Sequence, residues 1–360
     1  MKKTLLSIAA TLLSFLAFSQ EAELGNHAEL TFTPRLDLNP TYNSGDGWGF
    51  NHGNSSIYTL FEGSASEHFS WTVANLWLAS GGDYAWPYKG LTYSDTTNWL
   101  NYFKADLNFG NWTFTLGKDM ISTGGFEFED WDWDVHPIAA SPFWNDFSAY
   151  QWGAMAAYTN NAENTTFSAQ ITTSPFGERP FASKLYSYSL QWRGEYGWFS
   201  NIWSVSGIES NDDDDLTIGA GTVAGNKRIN WLFYLGQRAY FGDFYATLDW
   251  SNSPGYVNDL KVPYSDELFS FGGNNFQLGL TYAPADSWNV SLKANYTNNW
   301  NKYKPVLQDF SGLSIVAGIF EYYPFTDDTL RLHAVLAYSP VMEGCTFSIG
   351  ARYNFSLKLW

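Results

Sequence analysis

Residues 345–360 read CTFSIGARYNFSLKLW, and their alternation decides the fold. Phe347, Ile349, Ala351, Tyr353, Phe355, Leu357 and Leu359 occupy every second position, while Ser348, Gly350, Arg352, Asn354, Ser356 and Lys358 occupy the others. Successive strand side chains point to opposite faces, so a period of two marks a strand. One face is apolar and the other carries small polar groups and two cations, a separation that a helix would scramble. A strand of this kind suits a terminal position, pairing with the first strand to close a barrel. The last strand of a soluble sandwich alternates in the same way, so the rest of the chain must separate the two.

The same pattern recurs from end to end. Ala28 to Leu38 places Ala28, Leu30, Phe32, Leu36 and Leu38 on one parity and Thr31, Thr33, Arg35 and Asp37 on the other. Alternating segments follow near 57–66, 69–79, 99–109, 112–120, 150–158, 166–173, 185–194, 198–207, 229–240, 244–250, 275–282, 288–298, 313–322 and 330–338. With the last stretch this predicts about sixteen strands of roughly 9 to 12 residues, a length that suits a tilted bilayer crossing. Seven tight connections alternate with long links near 39–55, 80–98, 121–148, 174–184, 208–228, 251–274 and 299–312 and a shorter link at 340–344. That rhythm is expected of an all-β, antiparallel up-and-down transmembrane barrel with short periplasmic turns and long outer loops. Counting Leu216 to Val223 as a strand would make the total odd and invert the turn pattern midway, so it is assigned to a loop.

The chain opens MKKTLLSIAATLLSFLAFSQ: Lys2 and Lys3, an apolar run, then a small-x-small site at Ala17 and Ser19. Residues 1–19 read as a secretory signal, leaving 20–360 as a single outer-membrane barrel domain. No lipobox cysteine follows, and no run approaches the length of a membrane helix. Cys345 is the only cysteine, so no internal disulfide is expected. The formal charge is -17, or -19 without Lys2 and Lys3 (17 minus 36), which argues against nucleic acid as a partner. Aromatic residues reach 19% and charged residues only 15%, as expected of a wall that faces lipid and carries rings at its rims.

Barrel size then assigns the two faces. About sixteen strands leave an aqueous channel rather than a side-chain core. The apolar face must point outward, and only lipid makes so large an apolar belt favourable. Following the polar parity inward puts Arg35, Lys104, Arg193, Arg238, Lys293, Arg331, Arg352 and Lys358 on the channel wall, with Asp37, Asp106 and Asp249 the clearest inward carboxylates. In the third long link, Glu127, Glu129, Asp130, Asp132 and Asp134 alternate with Phe126, Phe128, Trp131 and Trp133. A segment with one acidic and one aromatic edge can pack its rings on the wall and hold its carboxylates over a narrow pore, where low-dielectric surroundings strengthen their field. The simpler alternative is a solvated outer loop.

Other chemistry finds little support. Asp130, Asp132 and Asp134 have the opening spacing of a calcium loop, but Val135 and Ser141 occupy the positions that need glycine and glutamate. Asp212 to Asp215 reads as a solvated acidic tip, and Gly219, Gly221 and Gly225 lack a following helix. His333 and His136 have no neighbouring sequence that marks a nucleophile or an activating acid. No cofactor, metal or energy source is implied. A barrel enzyme of lipase or protease type and a non-conducting structural or adhesion barrel are the alternatives to a passive channel.

Leu116-Gly117-Lys118-Asp119, Gly124-Gly125-Phe126-Glu127-Phe128 and Arg352-Tyr353-Asn354-Phe355, set in about sixteen strands, resemble Bacteroidota outer-membrane porins, broadly of the phosphate-selective porin O and P type. The resemblance covers essentially the whole chain after residue 19. It implies diffusion of small hydrophilic solutes or ions through a barrel embedded in outer-membrane lipid, a third loop that folds inward at Glu127 to Asp134, and association as homotrimers. The acidic loops and the lack of a dense loop cluster of lysine or arginine depart from a phosphate-selective pore, so anion preference is not carried over.

Overall fold

A computed structural model describes residues 27–44, 47–51, 55–79, 100–128, 149–177, 181–211, 227–253, 260–261, 268–269, 273–298, 311–325, 329–340 and 343–359. The main sheet has eighteen hydrogen-bonded segments. Two of them continue others, leaving sixteen strands (18 minus 2). These are β1 (His27–Asn43), β2 (Gly47–Asn51 running into Ser56–Ser66), β3 (Phe69–Ala79), β4 (Leu100–Phe109), β5 (Trp112–Met120), β6 (Tyr150–Thr159), β7 (Thr165–Thr173) and β8 (Tyr186–Glu195). The second half comprises β9 (Phe199–Asn211), β10 (Lys227–Phe241), β11 (Phe244–Ser253), β12 (Gly273–Ala285), β13 (Trp288–Asn298), β14 (Ser311–Tyr322), β15 (Leu330–Ser339) and β16 (Gly344–Tyr353, resuming as Phe355–Lys358).

Each strand pairs antiparallel with its sequence neighbours, and β16 pairs with β1. Arg35 faces Arg352 and Asp37 faces Gly350 at this seam, while Glu29 faces Lys358 nearer the turn end. The sheet is thus a closed antiparallel up-and-down barrel of sixteen strands, as the alternation predicts. Closure leaves no unpaired edge. The sequence-assigned loop at Leu216 to Val223 lies outside the described residues, but β9 and β10 pair directly out to Asn211 and Lys227, with no strand between them. Residues 1–19 also lie outside the described residues.

Backbone geometry explains the tight end of the barrel. Gly110, Gly197 and Gly242 all have positive φ in the short turns, at 56°, 77° and 65°. This conformation costs a side-chain-bearing residue and is free to glycine. Among the described residues, no helix is long and apolar enough to cross a membrane; the crossing elements are strands.

Burial is inverted relative to a water-soluble protein. Leu36, Leu190 and Leu336 are 58%, 59% and 60% exposed, whereas Asp37 and Ser206 are 1% and 0% exposed. Holding such leucines in water forfeits about 1.5–3 kcal/mol each relative to burial, so a lipid surround is what stabilises this wall. Exposed rings gather at the short-turn end: Phe109, Trp112, Trp198, Phe241, Phe244 and Phe325. These make the aromatic girdle expected at one membrane interface.

One expectation needs amendment. The inward face is not uniformly polar: Ile202, Ile208, Leu232 and Tyr234 on β9 and β10, and Ile315, Ala317, Ile319, Val335 and Ala337 on β14 and β15, point inward and are buried. At Ile202 and Tyr234 the physical reason is visible, because the third loop packs beside them at Ser204.

Candidate functional site: the third loop inside the barrel

The third long link leaves β5 at Met120 and returns at β6. Its two ends are tied together by the Ile121 N–H donating to the Ala149 carbonyl at 2.9 Å. Between them residues 121–127 turn into the lumen. Ser122 N donates to Gln170 Oε1 on β7 at 2.6 Å, and Gln170 Nε2 donates back to the Met120 carbonyl at 2.9 Å. Gly124 N then donates to Ser204 Oγ on β9 at 2.9 Å, and that hydroxyl donates to the Gly124 carbonyl at 3.1 Å. Ile202 and Tyr234 are buried beside Ser204, in the register of this contact.

The segment ends on β11. Phe126 N donates to Asp249 Oδ1 at 3.0 Å and Glu127 N donates to Asp249 Oδ2. Strands β5 and β11 stand six places apart, about 29 Å of arc at the usual spacing. Ser122, Gly124, Gly125 and Phe126 meet β7, β9, β10 and β11 in turn, so the loop base follows the inner wall. Two glycines permit the approach. A Cβ on Gly236 would meet Asp249 Oδ1 at 2.6 Å and Gly125 Cα at 2.8 Å, and one on Gly125 would meet Gly236 Cα at 3.0 Å. The Phe126 ring lies over Arg238, whose Cζ is 4.1 Å from its centroid and 5.0 Å from that of Tyr245. Arg238 Nε also donates to Thr247 Oγ1 at 3.2 Å. This wall cation is sandwiched between rings.

Of the other cations named from sequence, three lie against carboxylates. Arg35 Nη2 lies 2.6 Å from Asp37 Oδ2, Lys104 Nζ lies 3.2 Å from Asp119 Oδ2, and Arg331 Nη1 lies 3.7 Å from Glu321 Oε1. Lys293 has Glu321, Glu127 and Asp249 as acidic neighbours and Arg238 as a like charge. Arg35, Arg352 and Arg331 sit side by side on β1, β16 and β15, forming a row of three guanidinium groups across the seam. Arg193 faces inward at the turn end of β8, opposite Thr166 and Ile202, and Lys358 lies opposite Glu29. Asp119 and Glu321 were not singled out by sequence reasoning, although each lies on a strand next to one that carries a named cation.

Of the acidic loop residues, Glu127 is described and buried at the inner wall. Glu129, Asp130, Asp132 and Asp134 lie outside the described residues, as do His136 and Asp212 to Asp215. The glycine of the Leu116-Gly117-Lys118-Asp119 stretch has a physical role. Gly117 has φ 130°, and a Cβ there would overlap the Phe103 carbonyl oxygen on β4. Among the described residues, no group of three or more His, Cys, Asp or Glu is arranged to hold a metal ion. His27 Nδ1 and Ser64 Oγ are 2.9 Å apart near the turn end, but Ser64 is 1% exposed and so is hidden from any solute.

No family model matches the chain, and no curated protein matches it. Solved structures do. The outer-membrane channel DcaP of Acinetobacter baumannii is 12% identical with a TM-score of 0.58, covering 93% of this chain and 99% of its own. OmpT, an outer-membrane protein of Vibrio cholerae solved as a trimer form, is 14% identical with a TM-score of 0.56, covering 91% and 99%. A mutant of the Rh. blastica porin is 13% identical with a TM-score of 0.54, covering 91% and 100%. At these identities the likeness is one of fold. Taken with the outward apolar wall and its ring girdle, it makes this chain an integral outer-membrane β-barrel of sixteen strands.

Proposed function

We propose that residues 1–19 are a secretory signal and that the mature chain is an outer-membrane porin. It passes small hydrophilic solutes or ions by diffusion and performs no catalysis. The supporting observation is the course of residues 121–127 from β5 to β11, which brings Glu127 to the inner wall. In this reading Glu127, Glu129, Asp130, Asp132 and Asp134 line the constriction. Arg35, Lys104, Arg193, Arg238, Lys293, Arg331 and Arg352 are the opposing wall cations.

The pairing of those cations sharpens the reading. Arg35, Lys104 and Arg331 each face a carboxylate, so much of their charge is cancelled locally and the acidic loop dominates the field at the narrowest point. The pore therefore prefers cations. It is assigned to the broad type that includes the phosphate-selective porins O and P of Bacteroidota, without their anion preference, and it assembles as a homotrimer.

Planar-bilayer recording tests this directly. Stable unitary steps are expected. In a tenfold salt gradient the reversal potential should lie toward the cation limit of about 59 mV, because tenfold is about 1.36 kcal/mol and 100 mV is about 2.3 kcal/mol per charge. Zero conductance accompanied by lipid or peptide hydrolysis would replace the porin with a barrel enzyme.

A further inference from the structure

We propose that Asp249 is the latch that holds the base of the third loop against the inner wall and thereby fixes the cross-section of the pore. The conductance part of this proposal rests on the porin reading; the mechanical part does not.

Three features converge on this carboxylate. It accepts two successive backbone N–H groups, from Phe126 and Glu127, so both oxygens are committed to the loop. It is 3% exposed, so water does not compete for those oxygens, and hydrogen bonds to an ionised acceptor are the stronger kind. It also sits at a notch where Gly236 on the wall and Gly125 on the loop both lack the Cβ that would displace it. The other loop contacts differ. Gln170 and Ser204 are neutral, and each accepts one loop N–H. Arg238 holds the Phe126 ring by its face, a contact that tolerates sliding. Asp249 is therefore the point at which direction is fixed, because two N–H groups on two oxygens leave the loop one orientation.

Asp249→Asn keeps the shape, but offers one acceptor oxygen and turns an amide NH2 toward the second loop N–H. Gly125→Ala keeps the carboxylate and drives a methyl group into it. Both test the latch from opposite sides, and correctly folded barrel is confirmed by its slower gel migration after heating. Hydrogen-exchange mass spectrometry of the full chain in detergent should show the peptide containing Phe126 and Glu127 exchanging at least about tenfold faster in either variant. Bilayer recording should show a larger unitary conductance and added open-channel noise.

Unchanged exchange in a folded variant overturns the latch. Faster exchange with unchanged conductance and noise overturns its control of the pore cross-section. Faster exchange with neither the wild type nor the variants conducting leaves the latch in place and sinks the porin reading. If Asp249→Asn does not fold, Gly125→Ala decides alone by the same readings.

Discussion

His333 Nε2 lies 2.7 Å from Asp37 Oδ1, although β15 and β1 are not neighbours. Strand β16 runs between them, and the residue at the crossing is Gly350, in register with both Asp37 and His333. A Cβ on Gly350 would overlap the Asp37 carboxylate and the His333 ring. The missing side chain is what lets the first strand touch the second-last one. Asp37 also takes the Arg35 guanidinium, so the seam that closes the barrel is held by side chains as well as by backbone pairing.

Gly350→Ala should therefore loosen the seam. Overpacking of this kind costs about 1–3 kcal/mol, read as a lower temperature for conversion of the folded to the unfolded band on gels. His333→Ala should cost less, since it leaves room and Asp37 keeps Arg35. Equal melting of Gly350→Ala and wild type would show that the notch is not needed.

The Arg331 and Glu321 pair predicts non-additivity. Arg331 is 1% exposed, and stranding the partner of a buried ion pair costs about 3–5 kcal/mol. Arg331→Met should thus be strongly destabilising, while Arg331→Met with Glu321→Gln should recover part of the loss. Tyr323 still donates to Glu321 at 3.1 Å, which limits the penalty. A double-mutant cycle by urea unfolding checks this, and strictly additive losses would argue that the two charges do not interact.

The two faces of β8 differ in what they tolerate. Leu190 points outward and is 59% exposed, so Leu190→Arg should cost about 2–4 kcal/mol if it lies near the bilayer midplane. Gln191→Arg, on the inner face, should cost little. Refolding yield into vesicles separates the two, and an equal effect would contradict the assignment of faces.

Neutralising Glu127, Glu129, Asp130, Asp132 and Asp134 together should move the reversal potential in a salt gradient toward the anion side. Glu127→Gln alone should act weakly, because that residue is buried at the wall and its backbone rather than its carboxylate bonds Asp249. A reversal potential that does not move would remove this stretch from the conduction path.

How much of this was legible beforehand follows from the range of each interaction. Alternation is a local property, so residues such as Leu36 and Asp37 declare opposite faces from sequence, and the strand count follows. Pairing across the barrel is not local. Asp37 and His333 are separated by 296 positions, and only the offset between strands brings them together. For the same reason Asp249 was visible as an inward carboxylate but not as the acceptor for Phe126 and Glu127. Gly236 and Gly350 carried no signal as points of close approach. Inward isoleucines such as Ile202 and Ile315 break the binary pattern; Ile202 does so where the loop covers the wall beside it.

The most direct test of the account is osmotic swelling of vesicles that contain the purified mature protein. A hydrophilic channel narrowed by an inward loop should let vesicles swell rapidly in an isotonic small neutral sugar and progressively more slowly as the sugar grows. Vesicles that do not swell in any sugar or salt, while the barrel is folded and inserted, would contradict it.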